Sequence, residues 1–156
     1  MTGRDLTQNH DLTQDQDLAQ ACADAMWAGD AASRGLGMTL EWVRPGMARL
    51  SMPVTEAMLN GHGTCHGGFI FTLADSAFAF ACNTDGMASV ASHCAVTFLR
   101  PARLGDSLVA EAAERHRAGR NGIYDVQVTA AGEVVAEFRG HSRTTGRLET
   151  SPSSSG

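Results

Sequence analysis

The chain has no basic block, no long apolar run and no paired cysteine spacing, and each absence removes a class of function. Without a cationic stretch interleaved with aromatics, in a chain of net charge −5 and 6% aromatics, nucleic acid is not an expected partner. No run of about 18 apolar residues is present to span a bilayer, so no membrane partner is expected either. The N-terminus lacks the basic and apolar regions of a secretory signal. Cys22, Cys65, Cys82 and Cys94 match neither a disulfide framework nor a zinc knuckle, and read as free thiols of a cytoplasmic protein. Cys82 and Cys94 have apolar neighbours and are expected to act as small buried hydrophobes. What the chain does have is apolar content: 43% of 156 residues, enough to fill the core of one compact domain.

The start repeats itself, with Asp5-Leu6-Thr7-Gln8, Asp11-Leu12-Thr13-Gln14 and Asp17-Leu18-Ala19-Gln20 six residues apart. Six is neither a helical nor a solenoid period, so residues 1–16 are expected to form a largely disordered lead-in. The Ser-rich end, 148–156, is expected to be a flexible tail. The folded domain is then 17–147. It opens with a helix over 17–29, carrying Leu18, Cys22, Ala25 and Met26 at helical spacing. Alternating runs at 38–43 and 48–52 flank Arg44-Pro45-Gly46 and predict a hairpin. Residues 67–82 are apolar on nearly every side, the pattern of a helix buried all round. Strand-like runs follow at 88–99, 107–117, 122–130 and 133–145. A helix apolar all round needs something wrapped about it. An α+β fold results, with an extra N-terminal helix and a curved antiparallel sheet of about six strands around a long central helix. That arrangement resembles the hotdog architecture.

The central helix begins at His66-Gly67-Gly68. Its first turn must leave backbone N–H groups unpaired, with partial positive charge at that end. Glycine there lets a ligand approach the backbone closely, although a glycine pair can also serve only to turn the chain. Asp75 adds a second signal, as the one charged side chain from 69 to 82. A buried lone carboxylate is unfavourable unless it has partners or a task. Gly68, Thr72, Asp75 and Ala79 share one helical face of small or polar residues, the pattern of a cleft wall. Gly67 and Asp75 are eight residues apart, or about 12 Å along one axis. One carbonyl cannot touch both. If both act on one bond, a second helix must supply one of them, which predicts a site shared across a two-fold homodimer.

The run from Leu59 to Asn83 (Leu-Asn-Gly-His-Gly-Thr-Cys-His-Gly-Gly-Phe-Ile-Phe-Thr-Leu-Ala-Asp, then Ser-Ala-Phe-Ala-Phe-Ala-Cys-Asn) resembles the signature of PaaI-type thioesterases of phenylacetate catabolism. Agreement resumes at Thr97-Phe98-Leu99-Arg100-Pro101-Ala102, and the element order extends it over nearly the whole domain. The resemblance implies hydrolysis of phenylacetyl-CoA or its ring-hydroxylated relatives to free acid and CoA, with no cofactor and no metal. It implies that the Gly67 N–H, aided by Gly68, holds the developing oxyanion. Asp75 would be general base or nucleophile, Asn60 would orient the water or carbonyl, and His66 would brace the turn. Thr72 and Ser76 would line the substrate site. Some relatives carry a hydroxyl one helical turn after the acid; Ala79 stands there, so Ser89 or Ser92 is the expected replacement. Arg100, Arg103, Arg120 and Arg143 are candidates for the CoA phosphates, Arg100 and Arg120 foremost. Pairing of dimers into a homotetramer is a further implication.

Other readings have their own tests. His62, Cys65 and His66 offer metal-type side chains, but only three of them cluster. Cys65 beside His66 lacks the supporting motif of a cysteine hydrolase. A medium-chain acyl-CoA thioesterase would use the same catalytic residues with another acyl pocket. A hotdog dehydratase would need a His–acid pair poised on the acyl chain, and a non-catalytic acyl-CoA binder would have little use for a buried acid.

Overall fold

The computed structural model describes residues 4–150, with side chains from residue 11 onward. Helices α1 (Arg4–Gly29) and α2 (Ala31–Gly35) precede strands β1 (Thr39–Arg44) and β2 (Met47–Pro53). A 3-10 turn (Glu56–Met58) leads to α3 (Gly67–Ala81). Strands β3 (Met87–Phe98), β4 (Ser107–Ala118), β5 (Asn121–Ala130) and β6 (Glu133–Arg147) complete the chain. All six strands form one antiparallel sheet in the order β1-β2-β4-β5-β6-β3. The sheet curls around α3, which touches every strand. This is the hotdog architecture, with the additional N-terminal helix in place.

The burial pattern explains the curl. Leu73, Ala74, Ala77, Phe78, Phe80 and Ala81 of α3 are buried against the inward residues of the strands, among them Leu50, Met52, Leu108, Tyr124, Val126, Val128 and Phe138. Phe78 lies at the centre, its ring 5.6 Å from that of Tyr124 and 5.9 Å from that of Phe138. Burial of a side chain of this size stabilises the fold by about 1.5–3 kcal/mol. The β6 residue facing it is Gly140, where an added Cβ would stand 2.8 Å from three Phe78 ring atoms. The close approach of helix to sheet depends on that glycine.

Both ends of α3 are pinned. At the start, His66 Nδ1 accepts from the Gly68 N–H at 2.9 Å. At the end, the Asn83 amide donates to Ala79 O and Ser89 O, while its carbonyl accepts from the Ser89 N–H at 2.8 Å. Asn83 therefore fixes the helix to the first residues of β3. The two-residue β5–β6 turn puts Ala131 (φ 49) and Gly132 (φ 80) in the left-handed region, as a type I′ hairpin turn requires.

The structure differs from the sequence reading at three places. Helix α1 runs back to Arg4, across the stretch expected to be a disordered lead-in. Leu and Gln of the repeat are good helix formers although its Asp and Thr are not, and the helix is held on the sheet by buried Ala19, Cys22 and Ala23 and by Gln16 Nε2 donating to Val43 O. Helix α2 was not anticipated; Asp30 caps it by accepting from the Ser33 N–H and hydroxyl. Cys94 is not a buried hydrophobe: it is half-buried on β3, whereas Cys82 is buried with its thiol pushed up to about 12 by desolvation. At the other end the sheet runs to Arg147 and Leu148 N–H bonds Gly86 O; residues 151–156 of the expected tail lie outside the described residues. Among the described residues no helix is long and apolar enough to cross a membrane.

Candidate active site

Strand β3 is the last strand of the sheet and bonds only β6, so its other edge is open. Its residues are exposed or half-buried throughout, and Val90 and Phe98 are more than half or half exposed, at 53% and 50%. The side of α3 toward this open edge carries Gly68, which is exposed, and Thr72, Asp75 and Ala79, which are half-buried. The small-residue stripe thus lies where the sheet fails to close over the helix.

At the N-terminus of α3 the Gly67 N–H makes no hydrogen bond among the described residues, whereas the Gly68 N–H is taken by His66 Nδ1. Of the two glycine donors only Gly67 is available to a ligand. The Phe98 ring lies directly over Gly67, so that a Cβ there would meet its Cζ at 2.8 Å. Beside them a cleft of about 470 Å³ is lined by Thr64, Cys65, Gly67, Ile70, Phe98, Leu99, Arg100 and Pro101. An unpaired N–H at a positive helix end, facing an apolar and aromatic cleft, can polarise a carbonyl and hold an oxyanion.

Asn60 organises the approach to that cleft. Its Oδ1 accepts from the His62 N–H, the Thr64 N–H and the Thr64 hydroxyl, and its backbone N–H donates to Thr64 O. Cys65 N–H in turn bonds Ala102 O, joining this loop to the segment after β3. The Asn60 carbonyl oxygen is thus committed to the loop, and the amide nitrogen is the half left for a ligand.

Asp75 lies two turns along α3, outside the Gly67 cleft. Burial pushes its carboxyl above the usual carboxylate range, and the Cys94 thiol opposes that rise by donating to Oδ1 across 3.9 Å. A desolvated carboxylate with raised proton affinity is suited to taking a proton from water. Cys94 is the residue that the sequence reading missed. The available signal was its place on the strand opposite Asp75, a pairing that needs the helix–strand register.

The remaining candidates are dispersed. Thr72 sits on the Asp75 face, its hydroxyl bonded to Gly68 O at 2.8 Å. Ser76 points to α2, its hydroxyl 2.8 Å from that of Ser33, and so does not line the cleft with Asp75. Neither proposed hydroxyl replacement reaches Asp75: Ser89 bonds the Thr144 hydroxyl and Ser92 donates to His141 O. The strand register turns them elsewhere, and a bulge between Ala91 and His93 resets which side chains face the helix. Arg100 is at the Gly67 cleft, paired with Glu133 at 3.0 Å. Arg103 is in the loop that follows, its N–H on Asp106. Arg120 and Arg143 are at the opposite end of β3, where Arg120 Nε donates to Thr144 O and Arg143 pairs with Val90. Among the described residues no three His, Cys, Asp or Glu side chains are grouped to hold a metal ion.

Known proteins share this geometry. The family described as "Thioesterase superfamily" matches residues 62–137, the span from the Gly67 loop into β6. The acyl-coenzyme A thioesterase PaaI of Escherichia coli K12 is 47% identical over 125 residues, covering 80% of this chain and 89% of that protein. The solved structure of the E. coli PaaI protein from the phenylacetic acid degradation operon superposes with a TM-score of 0.84 at 44% identity, covering 85% of this chain and 97% of that one. The smu.793 protein of Streptococcus mutans UA159, solved bound to acetyl CoA, gives 0.69 at 26% identity, covering 72% and 91% of the two chains. With a likeness of that depth over the site and the whole sheet, the chain belongs to the PaaI-type thioesterases of the hotdog-fold thioesterase superfamily.

Proposed function

We propose that this thioester hydrolase cleaves phenylacetyl-CoA or ring-hydroxylated phenylacetyl-CoA to the free acid and CoA, as a cytoplasmic enzyme of phenylacetate degradation. The observation that carries the reading is the unpaired Gly67 N–H under the Phe98 ring at the end of an apolar cleft. The likeness to a PaaI protein of a phenylacetic acid degradation operon supports the substrate, and a relative solved with acetyl CoA supports the carrier. Four free cysteines support a reducing compartment.

The site is completed by a second copy. Asp75 lies beside Cys94 and Gly67 beside Phe98, so α3 and β3 run alongside each other in opposite directions. Four strand residues span about 13 Å and eight helical residues about 12 Å, so the two elements keep step. A two-fold axis at the level of Val96 would carry Asp75 of the partner subunit to Gly67. It would also set two β3 edges side by side, pairing backbone groups that otherwise form an open edge. The same rotation would bring Arg120 and Arg143 from the far end of the partner's β3 toward Arg100, giving one cationic rim for the CoA phosphates. Association of two dimers into a tetramer remains the expectation for the whole assembly.

In this site the Gly67 N–H polarises the thioester carbonyl. Asp75 of the partner subunit takes a proton from water, the hydroxide adds to the carbonyl carbon, and the oxyanion rests on Gly67. Collapse breaks the C–S bond, and the proton held by Asp75 passes to the departing CoA thiolate. Water is the only co-reactant. The raised proton affinity of Asp75 suits it to this general-base step. A thioester panel assayed on wild type and Asp75→Asn tests reaction, residue and substrate together. Phenylacetyl esters should be cleaved best and the variant should be nearly inactive; a preference for medium alkyl chains would replace the aryl reading. Single turnover in oxygen-18 water should leave Asp75 unlabelled, and label in its carboxyl would establish an anhydride intermediate.

A further inference from the structure

Resting on the reading of Asp75 as the general base, we propose that Cys94 is a positioning residue: its thiol, reaching across from β3, holds the Asp75 carboxylate in its working orientation and tunes its affinity for the proton. Four observations carry this. The thiol lies 3.9 Å from Asp75 Oδ1 on the one strand that borders the open face of α3. The hydroxyls that could have done the same are turned away, Ser76 to Ser33, Thr72 to Gly68 O, Ser89 to Thr144 and Ser92 to His141 O. Ala79, one turn after the acid, has no donor to offer. Cys94 itself is fixed in the backbone ladder opposite Gly140, the glycine that lets Phe78 and the whole helix pack closely on β6.

The electrostatic surroundings are simple. From β3 the group acting on Asp75 is Cys94, and along α3 Cys82 interacts with it through space. On the α2 side Asp30 is committed to Ser33, which faces Ser76. The other faces of α3 meet β1, β2, β4, β5 and β6 through apolar side chains and the ring of Tyr124, whose hydroxyl is committed to Glu114. The contact acts in both directions: burial and the neighbouring carboxylate push the Cys94 thiol up to about 11. Cys94 is therefore a protonated donor at every pH at which the enzyme would work, and an unreactive thiol rather than a nucleophile.

The test compares Cys94→Ala and Cys94→Ser with wild type through the full pH profile of kcat/KM. The acid limb of that profile reports the carboxyl of the free enzyme. Removing the donor in Cys94→Ala should move this limb toward higher pH, a loss of about threefold to tenfold at its acid edge with KM at the plateau unchanged. The shorter but stronger hydroxyl donor of Cys94→Ser should keep the limb at or below its wild-type position. Superimposable limbs in all three proteins would overturn the proposal. Light scattering keeps a seam defect distinct from a tuning defect, since β3 is the proposed dimer edge. If Cys94→Ala does not fold, Cys94→Val, which fills the same space without a donor, takes its place in the comparison. Carbon-13 titration of the Asp75 carboxyl reads the same contact without turnover, so an inactive protein would sink the proposed function while still deciding the role of Cys94.

Discussion

Gly67→Ala separates a folding role for this glycine from a chemical one. The added Cβ would stand 2.8 Å from Phe98 Cζ and 3.2 Å from both neighbouring ring carbons. Carbon atoms rest at about 3.5–4.0 Å, so the ring must retreat by roughly 0.7–1.2 Å. It can do so, because the clash is with the tip of a side chain that is 50% exposed at the end of an edge strand. The strain is therefore small, and replacing glycine by alanine in a helix regains about 0.5–1 kcal/mol of backbone entropy. The melting temperature should stay within a few degrees of wild type. Catalysis should not survive so well. Methyl and displaced ring together crowd the space in front of the Gly67 N–H, and loss of one oxyanion donor raises the barrier by about 2.7–4 kcal/mol, roughly 100- to 1,000-fold in kcat. The assay is thiol release from phenylacetyl-CoA, run beside thermal melts. In a Phe98→Ala background the methyl meets no ring, and Gly67→Ala should regain at least about tenfold of the lost kcat, a coupling of about 1.4 kcal/mol or more. Two results would refute the reasoning: full activity in Gly67→Ala, or losses that simply multiply in the double variant.

Other perturbations probe the core, the acid and the seam. Gly140→Ala presents the same 2.8 Å clash, but to a Phe78 ring that is 1% exposed and locked between Tyr124 and Phe138, so calorimetry should show a loss of about 1–3 kcal/mol or more. Asp75→Asn should stabilise the protein at neutral pH. Burial raises the folded carboxyl above its unfolded value, so ionisation opposes folding as pH rises through the folded value, whereas below the ordinary carboxylate range of about 3.9 the penalty vanishes. The gain in Tm should accordingly be present at pH 7 and absent near pH 3; a gain independent of pH would contradict it. Mixing Asp75→Asn subunits with Gly67→Ala subunits should restore activity toward one quarter of wild type, since random exchange places both intact groups at one of two sites in half the dimers; no recovery would exclude a shared site.

The sequence carried the fold because its periodicities are strong. A run apolar on nearly every side at 67–82 reads as a wrapped helix, and alternating runs bounded by Pro45-Gly46 and Ala131-Gly132 place the hairpins within a residue or two of where they stand. Helix α1 was legible only from Asp17 onward. The polar repeat before it buries nothing by itself, and its helical state depends on the burial of Ala19, Cys22 and Ala23 where α1 packs on β1, which a local pattern does not contain. The site divides in the same way. Gly67 and Asp75 were visible because a glycine at a helix start and a charge inside an apolar helix are local anomalies. The surroundings of Cys94 and Ser92 were not, because the face a strand residue presents depends on register, and the bulge between Ala91 and His93 resets that parity; Ser76 is engaged by Ser33 of α2, a contact no local pattern contains.

That bulged edge strand also explains why the chemistry is where it is. A curved six-stranded sheet covers α3 on the sides that meet β2, β4, β5 and β6, but it ends at β3 and leaves one face of the helix to solvent. A single protomer therefore has two unfinished features on the same side, an edge with unpaired backbone groups and a helix stripe of small residues around an acid that burial has already made more basic. Edge pairing alone would require neither glycine nor acid on that stripe, and a solitary active site would not spread its donor and its base over about 12 Å of one helix. In the proposed dimer both features answer one requirement: the surface that closes the sheet would be the surface that closes the active site. A small stripe would let the second helix approach, and Asp75, which has no ion pair among the described residues, would act across the seam.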